Sequence, residues 1–360
     1  MLERIREQDE AKRLLQAALR DGPAHAYLFH GPPGVGKQSA ALGFAGELIG
    51  DSDRASRRAH PDLYVLEPLG DQIRIDDIRL LHHDLHMRPF EADRRVYVVL
   101  SAHTLNEDAA DALLKDLEEP PLYAVLILVA DELGPLPETI RSRCQPIPFR
   151  RLSERAVREE VAERAPVLSE DETTALARVA GGRLDRVERL LDPKAAERRS
   201  GLLAVARSVY RDPEFRPAAA AEFVTGAAAE SGAQAKAEAE VELEHLDLPA
   251  REGEQRVRRA QRGAEREELL LMLEELAAWY RDLAVVAAGA EDAAVHCDHL
   301  DELREDASPE RSPGAEHAAE LVRETWRSLE EFNIQPGLAF EALFIHLRRA
   351  FASSAQWVAV

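Results

Sequence analysis

The stretch HAYLFHGPPGVGKQS, residues 25–39, decides how the N-terminal part of this chain folds. An apolar run leads into a turn rich in glycine and proline, and an alanine-rich helical pattern follows. This order is typical of a P-loop, in which backbone N–H groups and a helix N-terminus hold phosphate. The sequence therefore predicts a phosphate cradle with a lysine that reaches toward the β- and γ-phosphates. The residues assigned to this cradle are Gly31, Gly34, Val35, Gly36, Lys37, Gln38 and Ser39.

The position after Lys37 departs from the P-loop pattern. A working P-loop places serine or threonine there, so that a hydroxyl binds Mg²⁺. This chain has Gln38 at that position, and Ser39 comes one residue too late. An amide oxygen is a weak substitute, so we expect the cradle to be kept and the metal contact to be lost. Weak binding of ATP or ADP to a vestigial site and no binding at all both stay open.

A second stretch, RRVYVVLSAHTLNEDAADALLKDLEEPP (residues 94–121), points the same way. Its segment Arg95–Leu100 is short, apolar and rich in valine, which predicts a buried central strand. In a P-loop ATPase such a strand ends in two acidic residues that serve the metal and the attacking water. The two positions here are Leu100 and Ser101, and neither side chain can bind the metal or act as a base. The sequence therefore predicts an ATPase scaffold that has lost hydrolysis.

Composition limits the function further. The 360 residues carry a net charge of −21, which argues against a chain that coats nucleic acid alone, because such binding needs many Lys and Arg contacts to phosphate. The two cysteines, Cys144 and Cys297, lie far apart and have no metal-ligand spacing, so no zinc is expected. We expect a cytoplasmic protein with no membrane partner, because no apolar run approaches the length of a membrane span.

The secondary-structure pattern changes near residue 150. Before it, strands alternate with helices, which predicts a mostly parallel sheet covered on both faces. Three short amphipathic helices in residues 151–200 predict a small three-helix domain, and residues 201–360 predict a further all-α domain. Within the latter, residues 226–267 are rich in Ala, Glu, Arg and Gln and nearly lack large apolar side chains. We interpret them as a solvated helical hairpin or a partly disordered insertion.

Several charged residues have two interpretations. Arg143, near the end of a short helical segment, either complements the helix dipole or acts as an arginine finger in a neighbouring subunit's ATP site. Arg186 is either a solvated helix charge or a second arginine for this chain's own site. The histidines, including His82 and His83, show no metal-ligand spacing and are interpreted as surface or satisfied core groups.

Four stretches of this chain resemble the delta-prime subunit family of the bacterial DNA polymerase III clamp loader. They are HAYLFHGPPGVGK, HPDLYVLEP, RRVYVVLSAHTLNEDAADALLKDLEEPP and TIRSRCQPIPF. The resemblance is strong over residues 25–191 and resumes from about Leu269. It implies an α/β AAA+ P-loop domain in residues 1–150, a three-helix lid in 151–200 and an all-α collar in 201–360, with the insertion at about 226–267.

The same resemblance implies a place in a ring of one delta, three ATPase (gamma/tau) and one delta-prime subunit. Such a ring opens the sliding clamp and loads it on primed DNA. Arg143 falls on the arginine of the family's Ser-Arg-Cys motif, which completes an adjacent ATP site. The chain would then be a component of a DNA-directed DNA polymerase (nucleotidyltransferase) holoenzyme, while the chain alone is expected to have no ATPase or polymerase activity.

One departure from the family and two alternatives complete the sequence-based picture. Members of the family can carry a four-cysteine zinc module between the P-loop helix and the HPD strand, but residues 50–59 are few and contain no cysteine. This again predicts the absence of zinc. The alternatives are an active AAA+ ATPase subunit with unusual metal ligands, and a non-enzymatic AAA+ adaptor that acts outside replication.

Overall fold

The computed structural model describes residues 5–68, 72–131, 133–243, 250–331 and 334–354. Contacts between residues group the chain into two compact units. The first unit comprises Met1–Glu160 and Gly182–Arg186, and the second comprises Val161–Gly181 and Val187–Val360. The first unit contains the sheet and the P-loop, whereas the second is helical in the residues that the structure describes.

The first unit is built on a parallel sheet. Its strands are β1 (Ala26–His30), β2 (Leu63–Leu66), β3 (Arg95–Val99), β4 (Ala124–Ala130) and β5 (Gln145–Pro148). The strand order is β2-β3-β4-β1-β5, and each pair runs parallel. β3 and β4 are buried along their whole lengths, as expected for strands covered on both faces. The order of strands along the chain reverses beside β1, which creates a crevice at the carboxyl end of that strand.

Helices cover both faces of this sheet. They are α1 (Asp9–Asp21), α2 (Lys37–Ile49), α3 (Ser52–Ser56), α4 (Ile75–Leu85), α5 (Glu107–Glu118) and α6 (Glu138–Arg141). Alternate strand residues point to opposite faces. Tyr27 and Phe29 therefore join the apolar cluster of α1 and α2, while Leu28 joins that of α4 and α5. Asn106 caps the start of α5, where its side chain accepts a hydrogen bond from the N–H of Ala109 at 2.9 Å.

Three helices follow the sheet, as predicted for residues 151–200. They are α7 (Glu154–Arg164), α8 (Glu170–Ala180) and α9 (Leu184–Leu191). The prediction of an α/β P-loop domain followed by helices is confirmed. Residues 151–200 do not form a compact unit of their own, because the segment Gly182–Arg186 belongs to the P-loop unit. The boundaries near residues 150 and 200 stay a prediction.

The second unit has a core formed by long helices. They are α10 (Pro193–Arg211), α11 (Pro217–Leu243), α12 (Ala250–Ala287), α13 (Leu300–Asp306), α14 (Ser312–Glu331) and α15 (Pro336–Ser354). Large aromatic side chains fill this core, among them Trp279, Tyr280, Phe340 and Phe344. Within the described ranges, no helix combines the length and the apolar character needed to cross a lipid bilayer.

The alanine-rich stretch at residues 226–267 forms the ends of α11 and α12, with residues 244–249 outside the described residues. The interpretation as a helical hairpin is thus correct where the structure describes it. The interpretation as a fully solvated segment is wrong at its base, because Ala227 and Ala228 are buried in the core of the second unit. Alanine carries little apolar surface, so a helix that is buried through alanines lacks the pattern of large apolar residues by which burial is predicted. Its small side chain nevertheless allows two helices to approach closely.

A buried charge cluster ties the loop before α13 to α12. Asp282 accepts hydrogen bonds from the N–H groups of Val295 and His296 at 2.8 Å each, and its Oδ2 lies 2.9 Å from Nδ1 of His296. Glu275 lies 3.2 Å from the other ring nitrogen of His296. Burial alone lowers the pKa of His296, but the two carboxylates outweigh it and raise this pKa above its usual value.

This raised pKa predicts how the free energy of unfolding depends on pH. Because His296 binds its proton more tightly in the folded state, its contribution is complete below an unfolded pKa of about 6.5 and is lost as the pH rises through the folded pKa. Urea unfolding at a series of pH values should show this loss in the wild type, and His296→Gln should reduce it. The exposed His317 provides the control, and an equal change in His317→Gln would contradict the assignment.

Candidate functional site

The glycine turn lies where the crevice of the sheet is expected. Residues 31–36 connect β1 to α2, and α2 begins at Lys37 after Gly36 in the left-handed conformation (φ 89°). Two close approaches require glycine in this turn. A Cβ on Gly31 would lie 2.2 Å from the carbonyl oxygen of Phe149, and one on Gly34 would lie 1.9 Å from Oδ1 of Asp185. The predicted P-loop geometry of strand, turn and helix N-terminus is therefore present.

Lys37 is held by protein oxygens in this structure. Its Nζ donates to the carbonyl oxygens of Gly31 at 2.7 Å and Pro32 at 2.5 Å, and it forms an ion pair with Asp131 at 2.7 Å. The side chain is only 3% exposed, and burial lowers the pKa of Lys37 while Asp131 opposes that shift. A phosphate that reaches Lys37 must therefore compete with a carboxylate that already neutralises it.

The first turn of α9 lies against the P-loop. The N–H of Leu184 donates to the carbonyl oxygen of Gly34 at 2.6 Å. Next to it, Asp185 accepts hydrogen bonds from Nε and Nη2 of Arg183 and from the N–H of Arg186. Burial alone raises the pKa of Asp185, but the Arg183 side chain outweighs it, so this pKa lies below its usual value and the group is anionic.

The predicted cradle residues are thus brought together, and two residues that sequence reasoning missed accompany them. Asp131 and Asp185 place two negative charges beside a site that would hold an anionic polyphosphate. Arg186 lies in the same turn as Asp185, while Leu184 and Asp185 lie against Gly34. The role of Arg186 as a second arginine for this site stays a prediction. Asp131 directly follows β4, which lies beside β1 in the sheet. Knowledge of the strand order would therefore have placed Asp131 near the P-loop.

The positions that serve the metal in an ATPase contain no acid. Gln38 and Ser39 are exposed on the first turn of α2. Leu100 follows β3 and is 4% exposed, in the same apolar cluster as the P-loop residue Val35. Ser101 has left-handed backbone angles (φ 50°, ψ 41°), and its carbonyl oxygen accepts two hydrogen bonds from Thr104. The predicted loss of hydrolysis stays a prediction, and these positions support it.

We expect the isolated chain to show no ATP hydrolysis above background. The reason is the lack of a hydroxyl after Lys37 and of a carboxylate at residues 100 and 101. Release of phosphate from ATP by the purified chain measures this directly, with Lys37→Ala as the control for a contaminating ATPase. Turnover typical of P-loop enzymes that Lys37→Ala abolishes would contradict the prediction.

Arg143 lies at the other end of the sheet. It sits between α6 and β5, and β5 pairs with β1 in the register Tyr27 with Gln145. Parallel strands point the same way, so Arg143 precedes the strands at one edge while the P-loop follows them at the other. About six residues at ~3.3 Å each place Arg143 roughly 20 Å from Gly31 along the strand direction. Arg143 is therefore too distant to serve its own P-loop.

The surroundings of Arg143 keep it at the surface. The side chain is 35% exposed, its Nη2 lies 2.5 Å from Oε1 of Glu118, and its Nη1 donates to the carbonyl oxygen of Thr139 at 3.0 Å. The next residue, Cys144, is buried, and burial raises the pKa of its thiol to about 12. Cys144 thus anchors the segment in the core, while the guanidinium stays accessible to a partner molecule.

Comparison with known proteins adds family information. Residues 7–153 match the protein family described as DNA polymerase III, delta subunit. The chain is 33% identical over 164 residues to the delta-prime subunit of DNA polymerase III from Bacillus subtilis, covering 42% of this chain and 50% of that protein. It is 36% identical over 136 residues to the delta-prime subunit from Pseudomonas aeruginosa, covering 34% of this chain and 42% of that protein. The chain thus spans half or less of the length of these relatives.

The structure is similar to that of a DNA polymerase III gamma subunit-related protein from Thermotoga maritima. The two share a TM-score of 0.51 at 17% identity, over 95% of this chain and 100% of that one. This likeness concerns the fold alone, and the predicted α/β P-loop domain followed by helices agrees with it. Together, the family match and the two delta-prime relatives confirm that this chain resembles the delta-prime subunits of DNA polymerase III over its P-loop domain.

Proposed function

We propose that this chain is the delta-prime subunit of a DNA polymerase III clamp loader. In this role it helps to load the sliding clamp on primed DNA without hydrolysing ATP itself. Its partners are the gamma/tau ATPase subunits and the delta subunit, and through them the clamp and primed DNA. Its only contribution to catalysis is Arg143, which acts as an arginine finger at the ATP site of an adjacent gamma/tau subunit.

The observation that carries this proposal is the position of Arg143 relative to the P-loop. An arginine that precedes β5 lies at the opposite edge of the sheet from the turn that follows β1. A γ-phosphate that Arg143 contacts must therefore belong to another molecule. A planar guanidinium on the surface suits that task, because it presents several N–H donors and a permanent charge to a phosphoryl group.

The residues of the chain's own P-loop site support the proposal that this chain does not hydrolyse ATP itself. Lys37 is paired with Asp131, and Asp185 lies beside Gly34. Leu100 and Ser101 occupy the positions that an ATPase gives to acidic residues. A subunit with these features is suited to complete the ATP site of a neighbouring subunit and is poorly suited to hydrolyse ATP at its own site.

Co-purification tests the proposal and its main alternative together. The full chain is expressed with the gamma/tau, delta and clamp proteins of its own source, and the loader is isolated through a tag on delta. We expect this chain in the isolated complex, and we expect clamp loading on primed DNA to fall when it is left out. A complex that forms and loads clamps equally well without this chain would overturn the proposal and favour an adaptor outside replication.

A further inference from the structure

A group of three potential metal ligands joins α4 to α5 in the P-loop unit. His82 lies on α4, His86 directly follows that helix in a helical conformation, and Asp116 lies on α5. One ligand atom from each residue lies within 4.8 Å of the others. The two imidazole rings have centroids 4.7 Å apart, and Nδ1 of His82 is 2.6 Å from Oδ1 of Asp116.

Asp116 provides an independent observation. Its side chain is only 3% exposed, and its second carboxylate oxygen, Oδ2, is buried and has no hydrogen-bond partner among the residues that the structure describes. Asp116 also lies in the last turn of α5, where the helix dipole disfavours a negative charge. Burying a carboxylate is costly unless a cation or hydrogen-bond donors compensate it. One hydrogen bond to a largely exposed histidine leaves part of that requirement unmet.

The donor set fits a transition-metal ion. Histidines four residues apart lie on one face of a helix and can bind one ion, as in the zinc motif in which two histidines are separated by three residues. Two imidazole nitrogens and one carboxylate oxygen suit Zn²⁺ and its neighbours Co²⁺, Ni²⁺ and Cu²⁺ better than Mg²⁺ or Ca²⁺. His82 and His86 are exposed, so an ion has access from solvent and water can complete its coordination.

We propose that His82, His86 and Asp116 form a binding site for one divalent transition-metal ion of the zinc class, which links α4 to α5. This proposal corrects the sequence-based interpretation that His82 has no metal-ligand spacing. The adjacent pair His82 and His83 has none, but His82 and His86 are four residues apart. The expectation of no zinc was based on the cysteines and on the missing four-cysteine module, and it concerns a different kind of site. The metal site does not depend on the proposed role in clamp loading.

The test uses the full chain without a histidine tag, after removal of metal by EDTA and dialysis. Titration with Zn²⁺ is followed by calorimetry, and titration with Co²⁺ by its visible absorption, which reports nitrogen and oxygen ligands. We expect one ion per chain, and we expect Zn²⁺ to raise the melting temperature, because a ligand that binds only the folded state stabilises it.

The variants assign the ligands. His82→Ala and His86→Ala change exposed side chains, so both variants should fold. Each should weaken Zn²⁺ binding by about tenfold or more, because mutating even the residues that hydrogen-bond to metal ligands lowers metal affinity by about 10–100-fold. Asp116→Asn keeps the shape of the buried side chain and should weaken binding similarly. His83→Ala is the matched control on the same helix and should bind as the wild type does.

Two outcomes would overturn the proposal. The first is binding of Zn²⁺ to the wild type no tighter than about 1 mM, which corresponds to only about 4 kcal/mol. The second is a loss of affinity in His83→Ala equal to that in His86→Ala. Either result would reduce the cluster to a hydrogen bond between His82 and Asp116. If Asp116→Asn fails to fold, the two histidine variants still decide the question.

Discussion

Replacing Arg143 with alanine is expected to slow ATP hydrolysis about 10³–10⁵-fold at the one gamma/tau site that this chain completes. This expectation rests on the proposed function. The loader has other ATP sites, which keep their own fingers, so total hydrolysis should fall less than clamp loading. The measurement is DNA- and clamp-stimulated ATPase activity together with clamp loading, in a loader reconstituted with the variant.

The chemistry of the side chain explains the size of the effect. Charge on a transferring phosphoryl group is spread over its equatorial oxygens, and a planar guanidinium can donate to two of them at once. Lysine offers a single, strongly hydrated charge without that geometry. Arg143→Lys should therefore recover little of the lost activity, although it keeps the net charge.

Two matched variants separate the finger from a general loss of charge at this end of the sheet. Arg141 is exposed at the end of α6, two residues away, and Arg141→Ala should leave hydrolysis and loading unchanged. Glu118 pairs with Arg143 in the structure and would compete with phosphate for it, so Glu118→Ala should not reduce activity. Wild-type hydrolysis and loading in a fully assembled Arg143→Ala loader would contradict the arginine finger. Arg143 would then only complement the dipole of a helix end.

Replacing Asp282 with alanine is expected to lower the free energy of unfolding of the second unit by about 3–5 kcal/mol, the usual cost of breaking a buried charge pair. Asp282 is fully buried and accepts three hydrogen bonds from the segment at Val295 and His296. Alanine would leave those donors without an acceptor inside the core. It would also leave His296 with Glu275 as the one carboxylate that contacts its ring in the part of the chain that the structure describes.

Thermal or urea unfolding of the full chain measures this loss and is followed by tryptophan fluorescence. Trp279, one of the three tryptophans, packs edge-on against His296. Asp301 is the matched control. It belongs to the same unit, its side chain is 94% exposed, and it forms a surface ion pair with Arg304 at 3.3 Å. Asp301→Ala should change stability by less than about 0.5 kcal/mol. Equal effects of the two variants would contradict a special role for the buried cluster.

The sequence was sufficient to predict features that depend on neighbouring residues. β3 and β4 follow from short apolar runs, and the start of α5 follows from Asn106 as a helix cap. The P-loop turn follows from its glycines and Lys37. In each case the pattern lies within about twenty residues and has a local physical cause.

Features that depend on distant residues could not be predicted in the same way. Asp131 meets Lys37 because β4 lies beside β1, and Asp185 meets Gly34 although about 150 residues separate them. His82 and His86 are four residues apart in the sequence, so two of the three proposed metal ligands lie close together there. Asp116 belongs to another helix, and its buried second oxygen is a property of the folded chain.

The burial of Leu100 has an evolutionary consequence. This side chain belongs to the same apolar cluster as Val35 and Ala40, and it stands at the sequence position where an ATPase has a carboxylate. A reverting mutation to aspartate would bury a charge without a partner and so destabilise the domain. It would restore no hydrolysis by itself, because Gln38 and Ser101 would still be unsuited to it. A single substitution would therefore cost stability before it could bring any gain in activity, so the packing of the core itself would oppose a return of hydrolysis.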